Sequence, residues 1–361
     1  MKILTVVGAR PQFIKAAVGS RQIRKVHTEI LVHTGQHHDI NMSDVFFDEM
    51  NIPRPDYNLG IAGGSHGEMT GRMLIELEKV CQKENPDAML VYGDTNSTMA
   101  AALAAVKLHI PVIHCESGNR FNTLDSPEEV NRIVTDHVST IRFACTQSAL
   151  DSLKKENLAE QSYLIGDPMY DAFLYYGNRI TNNAFEDVFD FDGNTIQVPK
   201  KYYYMTCHRQ ENTDDPNKLK EILSAMDTLD APTIYPVHPR NQKTVKQFMS
   251  EHLFHNILFI QPVGYLSSIA FAKNAEKIVT DSGGVQRESF FAEKKCVTVL
   301  DFEVWPETMK DGRNVLAKPS KADILEKLSI PQVINPLYQP FGDGNAAEKM
   351  VQIINQYFNQ L

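Results

Sequence analysis

Short apolar runs alternate with helical stretches along the first half of the chain. Apolar runs of strand length occupy residues 3–7, 29–33, 88–92, 110–114 and 140–144. Helices are predicted from Pro11, because proline is favoured in a first helical turn, and over the alanine-rich stretch 97–108. Strands that are separated by helices pair in parallel, so this half predicts a doubly wound α/β sheet.

The alternation resumes after an irregular stretch at residues 185–200, which we interpret as part of the connection to a second domain. Further strands are predicted at residues 202–206, 233–236, 257–260, 275–280 and 296–300, with a helix at 216–229 and a last one within 346–361. A chain of 361 residues also exceeds one ordinary core. The pattern predicts two Rossmann-like, doubly wound domains that face a cleft, the first at 1–180 and the second at 199–344.

Composition narrows the class of protein. The chain is 42% hydrophobic and 22% charged, which is ordinary for a globular protein, and no apolar run reaches the ~20 residues that span a bilayer. The run at residues 3–7 is too short for a signal peptide, and the five cysteines include no C-x-x-C pair, so we expect reduced thiols and a cytoplasmic protein. A formal net charge of −9 disfavours a nucleic-acid surface, so an anionic ligand needs local cations and backbone N–H groups.

Polar residues follow several predicted strands of the first half, and ligands of parallel α/β sheets bind where the strands end. Gly8-Ala9-Arg10-Pro11 follows the first strand, and Arg10 and Lys15 beside a helix N-terminus would attract an anion. The turn is not G-x-G-x-x-G, so it gives no support for a nicotinamide cofactor.

Three carboxylates, Asp94, Glu116 and Glu128, follow the third and fourth strands. Asp94 has a second interpretation as a helix N-cap. Glu128 and Glu129 also have a second interpretation, in which they complement the dipole of a helix at its start, and we favour this interpretation for Glu129. Three carboxylates at one edge would raise at least one pKa, so that a neutral acid and an ionised base coexist.

Two further motifs follow strands of the second half. His208-Arg209 suits contact with a phosphate or a sugar, with an ordinary surface pair as an equal alternative. Thr280-Asp281-Ser282-Gly283-Gly284 ends a strand and opens a helix, so its N–H groups are suited to a diphosphate, with Glu288 near ribose hydroxyls. The alternative is a flexible structural turn.

No metal site is predicted. The residues that look most like ligands are His33, His37, His38 and Asp39. Their spacing fits neither a zincin nor an EF-hand, so a solvated loop is favoured.

Together and in this order, the motifs resemble those of the non-hydrolysing UDP-N-acetylglucosamine 2-epimerase family. The match runs from Met1 to Phe341-Gly342-Asp343-Gly344, nearly the whole chain. The resemblance implies a glycosyltransferase-B-like fold, in which a last helix within residues 345–361 packs back on the first domain. It also implies reversible C2 epimerisation of UDP-N-acetylglucosamine to UDP-N-acetylmannosamine by elimination and re-addition of UDP, which supplies cell-surface polysaccharide synthesis.

The resemblance also assigns roles to individual residues. The catalytic positions of the family fall on Asp94, Glu116 and Glu128, with His208 near the departing diphosphate. Its substrate-binding positions fall on Arg10, Lys15, Arg209, Ser282, Gly283, Gly284 and Glu288. A second, regulatory UDP-sugar site falls on Gln36, Arg72 and His238. No cofactor, metal, nucleic acid or membrane is implied, and we expect a homodimer.

Three motifs depart from the family pattern. Leu300-Asp301 stands where an Arg-Asp pair is usual, and Glu303-Val304-Trp305-Pro306-Glu307 stands where the family often has Thr-Glu-Arg-Pro-Glu or Thr-Glu-Trp-Pro-Glu. The usual Glu-Ala-Gly-Leu-Arg stands here as Glu116-Ser117-Gly118-Asn119-Arg120, which keeps the acid but leaves the sugar's substituents open. The alternatives are a 2-epimerase of a UDP-2,3-diacetamido uronic acid and a hydrolysing epimerase that releases UDP. A UDP-sugar glycosyltransferase is the alternative from a different class.

Overall fold

The computed structural model describes residues 1–36, 50–180, 185 and 188–360, and packing divides the chain into two units. The first unit contains Met1–Tyr175 and Gln339–Leu361, and the second contains Tyr176–Tyr338. Each unit has its own parallel sheet with helices interleaved between the strands. The predicted α/β class with two doubly wound sheets is therefore confirmed.

The sheet of the first unit has seven strands among the described residues, in the order β3-β2-β1-β4-β5-β6-β7, and every pairing is parallel. The strands are β1 Lys2–Val7, β2 Thr28–His33, β3 Tyr57–Asn58, β4 Ala88–Tyr92, β5 Val112–Cys115, β6 Ile141–Ala144 and β7 Ser162–Leu164. Because β1 lies between β2 and β4 and is covered by helices, its sequence is almost entirely apolar. The order reverses between β1 and β4, and this switch point is where such sheets bind ligands.

The helices of the first unit connect these strands. They are α1 Arg10–Ile23, α2 His66–Glu84, α3 Asn96–Lys107, α4 Pro127–Val138, α5 Gln147–Lys155 and α6 Pro168–Gly177. The alanines of α3 are almost all buried, so this helix packs closely against both α2 and α4. That packing places α4, whose first turn contains Glu128, beside the helix that follows Asp94.

The second unit repeats the same plan in the order β10-β9-β8-β11-β12-β13, with parallel pairings throughout. Its strands are β8 Tyr203–Thr206, β9 Thr233–Pro236, β10 Ile257–Ile260, β11 Lys277–Thr280, β12 Lys295–Val299 and β13 Asn314–Ala317. Its helices are α7 Gln210–Thr213, α8 Pro216–Asp227, α9 Gln242–Ser250, α10 Tyr265–Asn274, α11 Gly283–Phe291 and α12 Lys321–Ser329. Here the order reverses between β8 and β11, which is the switch point of the second sheet.

The stretch that we interpreted as part of a connection is packed into the second unit. Val188 is buried, and Ile196 and Val198 lie against the same cluster of core side chains as β8. Backbone hydrogen bonds close this stretch on itself, from Ile196 N to Val188 O at 2.7 Å.

The chain then returns to the first unit. The peptide N–H of Asp167 donates to Phe341 O at 2.9 Å, and the Asp171 carboxylate accepts from the N–H groups of Ala346 and Ala347 at 3.0 and 2.8 Å. These bonds cap α13, Ala346–Phe358, which packs on α1. Among the described helices, none combines the length and the apolar character that crossing a bilayer requires.

Candidate active site

Lys15 and Glu116 form an ion pair at the edge of the first sheet. Lys15 lies in α1, and Glu116 is the residue after β5. Their side chains are 3% and 6% exposed, so each charge offsets the cost of burying the other. Glu116 has a φ of +74°, a left-handed conformation that non-glycine residues seldom adopt and that is common at functional positions. The predicted role of Lys15 in binding nucleotide stays a prediction.

Two more buried groups lie near the Glu116 carboxylate. The ligand-type atoms of Glu116, Cys145 and Asp167 all fall within 4.8 Å of one another, the spacing of a possible metal site. Lys15 supplies one cation to this cluster. His33, the one described member of the predicted solvated loop, is buried with its ring 5.0 Å from that of Phe13, which corrects that interpretation; His37, His38 and Asp39 lie outside the described residues.

Asp94 is held by an arginine from α4. Its carboxylate forms an ion pair with Arg132, which is itself buried and donates to Glu129 at 2.8 Å. The cap of α3 is Thr95, whose Oγ1 accepts from Thr98 N at 3.3 Å, so Asp94 is not the N-cap. A Cβ atom built on Gly93 would lie 3.7 Å from Lys15 Nζ, which places the turn before Asp94 beside the buried ion pair.

Glu128 and Glu129 have different surroundings although they are neighbours. Glu128 is exposed and accepts from Ser126 Oγ at 2.7 Å, and α4 connects it to Arg132 and hence to Asp94. Glu129 is buried and accepts from the backbone N–H groups of Phe121 and Asn122. Glu129 therefore holds the loop after β5, and a dipole interpretation alone does not account for it.

His114 and Asp136 are two buried residues to which the sequence analysis gave no role. His114 Nδ1 lies 2.7 Å from Asp136 Oδ1, and its Nε2 lies 2.7 Å from Gly93 O. Asp136 also pairs with Arg120 at 2.8 Å and accepts from Gly118 N at 3.0 Å. Burial opposes ionisation of Asp136, but His114 and Arg120 outweigh it and lower its pKa to about 2.

In the second unit, His208 and Arg209 both contact Asp281. His208 follows β8 and Asp281 follows β11, so the two strands at the switch point bring them together. His208 Nδ1 lies 3.0 Å from the carboxylate, which also accepts from the backbone N–H groups of His208 and Arg209 at 2.9 and 2.8 Å. Burial opposes ionisation of Asp281, but His208 and these donors lower its pKa to about 2. No role was predicted for Asp281 from the sequence.

The glycine turn after β11 forms the beginning of a helix, as predicted. Gly283 and Gly284 are the first residues of α11, and Ser282 is its N-cap, with Oγ 3.4 Å from Val285 N. The first N–H groups of a helix lack acceptors within the helix, and they carry its positive dipole end. Glu288 is buried in the same helix. This geometry suits an anionic group such as a diphosphate.

The remaining predicted residues are Arg10 and the three assigned to regulation. Arg10 is the first residue of α1 and is partly buried. Gln36 Oε1 accepts from Ser97 N and Ser97 Oγ at 3.1 and 2.6 Å, at the start of α3. Arg72 is exposed and lies 3.7 Å from Glu68.

His238 lies beside a residue predicted to be catalytic. Its ring centroid is 5.6 Å from that of His208, with the planes inclined by 31°. A ligand that contacts one of these rings would therefore affect the other.

Comparison with known proteins gives a consistent result. A profile of the family described as UDP-N-acetylglucosamine 2-epimerase matches residues 21–355. The UDP-2,3-diacetamido-2,3-dideoxy-D-glucuronate 2-epimerase of Pseudomonas aeruginosa is 44% identical, over 98% of this chain and 99% of that protein. A Methanococcus maripaludis protein named UDP-N-acetylglucosamine 2-epimerase homolog is also 44% identical, over 98% and 99%.

A solved structure extends the likeness to three dimensions. The UDP-GlcNAc 2-epimerase of Methanocaldococcus jannaschii, crystallised in complex with UDP-GlcNAc and UDP, superposes with a TM-score of 0.87. The two chains are 37% identical, and the alignment covers 99% of this chain and all of that one.

Proposed function

The chain belongs to the UDP-N-acetylglucosamine 2-epimerase family, and we propose that it interconverts UDP-N-acetylglucosamine and UDP-N-acetylmannosamine by inverting C2. The observation that carries the proposal is a pair of carboxylates at neighbouring strand ends. Glu116 forms an ion pair with Lys15, and Asp94 forms one with Arg132. The relative from M. jannaschii with the same activity is 39% identical over 98% of this chain.

The chemistry explains why such carboxylates are needed. The C2 hydrogen of an N-acetylhexosamine is not acidic, because no carbonyl carbon adjoins C2. Cleavage of the anomeric C–O bond builds positive charge at C1, which acidifies that hydrogen, and loss of UDP and the proton gives a 2-acetamidoglycal. Protonation of C2 from the opposite face, with return of UDP to C1, inverts the centre. The reaction therefore needs proton carriers on both faces of the ring.

The first unit supplies the proton carriers. Glu116 and Asp94 are carboxylates at neighbouring strand ends, and we assign to them the acceptance of a proton. Glu128 is exposed at the start of α4, where a ligand can reach it, and we assign to it the delivery of a proton.

The second unit supplies the groups that stabilise the leaving diphosphate. Negative charge develops on UDP as the C–O bond breaks, and preorganised dipoles and cations stabilise such charge. The N-terminus of α11 at Ser282-Gly283-Gly284 provides the dipoles, and Arg209 and His208 provide donors that Asp281 holds in place.

The test is an incubation of the protein with UDP-N-acetylglucosamine alone in deuterated water, followed by NMR of the anomeric and C2 positions. The expected result is UDP-N-acetylmannosamine, with deuterium at C2 of both product and recovered substrate. Release of free N-acetylmannosamine would instead show a hydrolysing epimerase. Absence of deuterium at C2 would refute the elimination mechanism.

A UDP-2,3-diacetamido uronic acid is the second candidate substrate. The relative named for that activity is 44% identical, against 39% for the UDP-N-acetylglucosamine 2-epimerase of M. jannaschii. A uronate carboxylate needs a cation of the protein as its partner. Arg120, the arginine of the motif that begins at Glu116, already forms ion pairs with Asp136 and Glu156. Comparing kcat/KM for the two nucleotide sugars decides between them, and the larger value identifies the substrate.

We further propose that the enzyme is a cytoplasmic homodimer that supplies cell-surface polysaccharide synthesis. All five cysteines are free and buried, which suits a reducing compartment. The dimer and the pathway follow from the family resemblance. Light scattering of the purified protein tests the dimer, and loss of surface polysaccharide in a deletion strain tests the pathway.

A further inference from the structure

A buried histidine connects the two strand ends that hold Asp94 and Glu116. His114 lies in β5 with no exposed surface, two residues before Glu116. Its Nε2 lies 2.7 Å from the carbonyl oxygen of Gly93, the residue before Asp94. The N–H of Gly93 in turn donates to Cys115 O at 2.9 Å. The Gly93 peptide groups are thus held to β5 on both sides, through N–H and through C=O.

Both nitrogens of the His114 ring lie against hydrogen-bond acceptors. A carbonyl oxygen only accepts hydrogen bonds, so Nε2 carries a hydrogen. Nδ1 lies 2.7 Å from a carboxylate oxygen of Asp136, which is also an acceptor, so both ring nitrogens face acceptors in a buried site.

The cluster around this histidine–aspartate pair is anchored by several further contacts. Arg120 adds a second cation to Asp136, and Glu156 adds a second anion to Arg120 at 2.7 Å. Gly118 N donates to Asp136 at 3.0 Å, so the loop after Glu116 is anchored to the same carboxylate. Breaking a buried pair leaves an uncompensated charge, so the cluster resists displacement.

We propose that His114 is a positioning residue that sets the separation of Asp94 and Glu116 through the Gly93 carbonyl. The inference rests on the proposed epimerase function. His114 acts through Gly93, with Asp136 holding the ring in the orientation that reaches that carbonyl. A misplacement of about 1 Å at a catalytic group can cost ~10²-fold in rate, so the hydrogen bond to Gly93 should affect turnover.

Two amide substitutions separate the two hydrogen bonds of the ring. A glutamine amide nitrogen reaches the position of the histidine Nε2, whereas an asparagine amide nitrogen stands near that of Nδ1. His114→Gln therefore keeps a donor for Gly93, and His114→Asn keeps one for Asp136. If the Gly93 bond positions Asp94, kcat should fall by less than about 10-fold in His114→Gln and by about 10²-fold in His114→Asn.

The controls separate positioning from loss of stability. UDP affinity by calorimetry should stay near wild type in both variants, because the effect falls on kcat. Leu77→Ala, a core truncation in α2, serves as the stability control, since it lowers the melting temperature without touching either strand end. Wild-type exchange at C2 is measured first, so its absence would refute the proposed function rather than the role of His114.

The proposal is overturned if His114→Asn retains more turnover than His114→Gln, or if both retain as much as Leu77→Ala. If neither variant folds, NMR of wild-type protein labelled with ¹⁵N-histidine gives the answer. A slowly exchanging hydrogen on both nitrogens of His114 supports the proposal. An unprotonated Nε2 overturns it.

Discussion

The ion pair between Lys15 and Glu116 gives the most direct test of the first unit. Lys15→Met keeps the length of the side chain and removes its charge, and Glu116→Gln does the same for the acid. Both side chains are almost fully buried, so either single change breaks an ion pair that is shielded from solvent. Removing one member of such a pair costs about 3–5 kcal/mol of unfolding free energy.

The double variant is the informative one. Lys15→Met with Glu116→Gln removes both charges of the pair, so the double variant should lose less unfolding free energy than the two single variants lose in sum. The expected coupling free energy is about 3 kcal/mol. For a unit of this size, each single change should lower the melting temperature by roughly 6–20 °C.

Two spectroscopic signals make the measurement specific to the first unit. Urea unfolding by far-UV circular dichroism follows both units, whereas the single tryptophan, Trp305, lies in the second. The circular dichroism transition should shift more than the Trp305 fluorescence transition. As a control, the exposed pair Lys79–Glu76 in α2 should give nearly additive effects, because solvent screens it. A coupling below about 0.5 kcal/mol at Lys15 and Glu116 would refute the reasoning.

Three further outcomes are expected. Gly284→Val should weaken UDP binding, measured by calorimetry, because the added side chain blocks approach to the backbone N–H groups. The melting temperature should not change, because a Cβ at this position meets nothing closer than Ser282 Oγ at 3.6 Å. Unchanged UDP affinity would show that the turn is purely structural. Because the pKa of Asp281 is lowered to about 2 in the folded state, its contribution of roughly 2 kcal/mol is present above pH 4 and lost between pH 4 and 2. The stability gap between wild type and Asp281→Asn should therefore close over that range, and a constant gap would contradict this. The initial rate should depend sigmoidally on the concentration of UDP-N-acetylglucosamine in the wild type and hyperbolically in Arg72→Ala. Hyperbolic kinetics in the wild type would remove the case for a second site.

The repeating pattern of the chain was enough to predict the sheets, because buried parallel strands require nearly continuous apolar runs. The strand ends agree within two residues, and β5 begins at Val112 because Pro111 has no N–H to donate. The short strands β3, β7 and β13 were not predicted, and β3 and β7 are partly exposed. The helix α2, which has a polar first turn, was not predicted either. Residues 185–200 look irregular in sequence, yet a few apolar side chains are enough to pack the described part of this stretch, 185 and 188–200, into the second core.

The candidate site was predicted as a set of residues but not as a set of contacts. Strand ends and helix starts are local properties, so Asp94, Glu116 and Ser282 could be placed from the sequence. The partner of each charge comes from a distant segment, as Arg132 does for Asp94, and no local pattern indicates it. Asp136 was missed for the same reason, because its role depends on residues from two different loops.

The discontinuous first unit has a consequence for how the protein is made. Its core is completed by residues 339–361, whose helix α13 is capped by Asp171, so the unit cannot finish folding until that segment has been synthesised. The second unit is contiguous and is synthesised before residues 339–361. At ordinary rates of translation, its synthesis delays completion of the first unit by on the order of 10 to 30 s. During that interval the surface of α1 that receives α13 stays uncovered on the ribosome. A chain that terminates early at its C-terminus would therefore release a first unit that lacks its last helix and exposes apolar surface to chaperones and proteases.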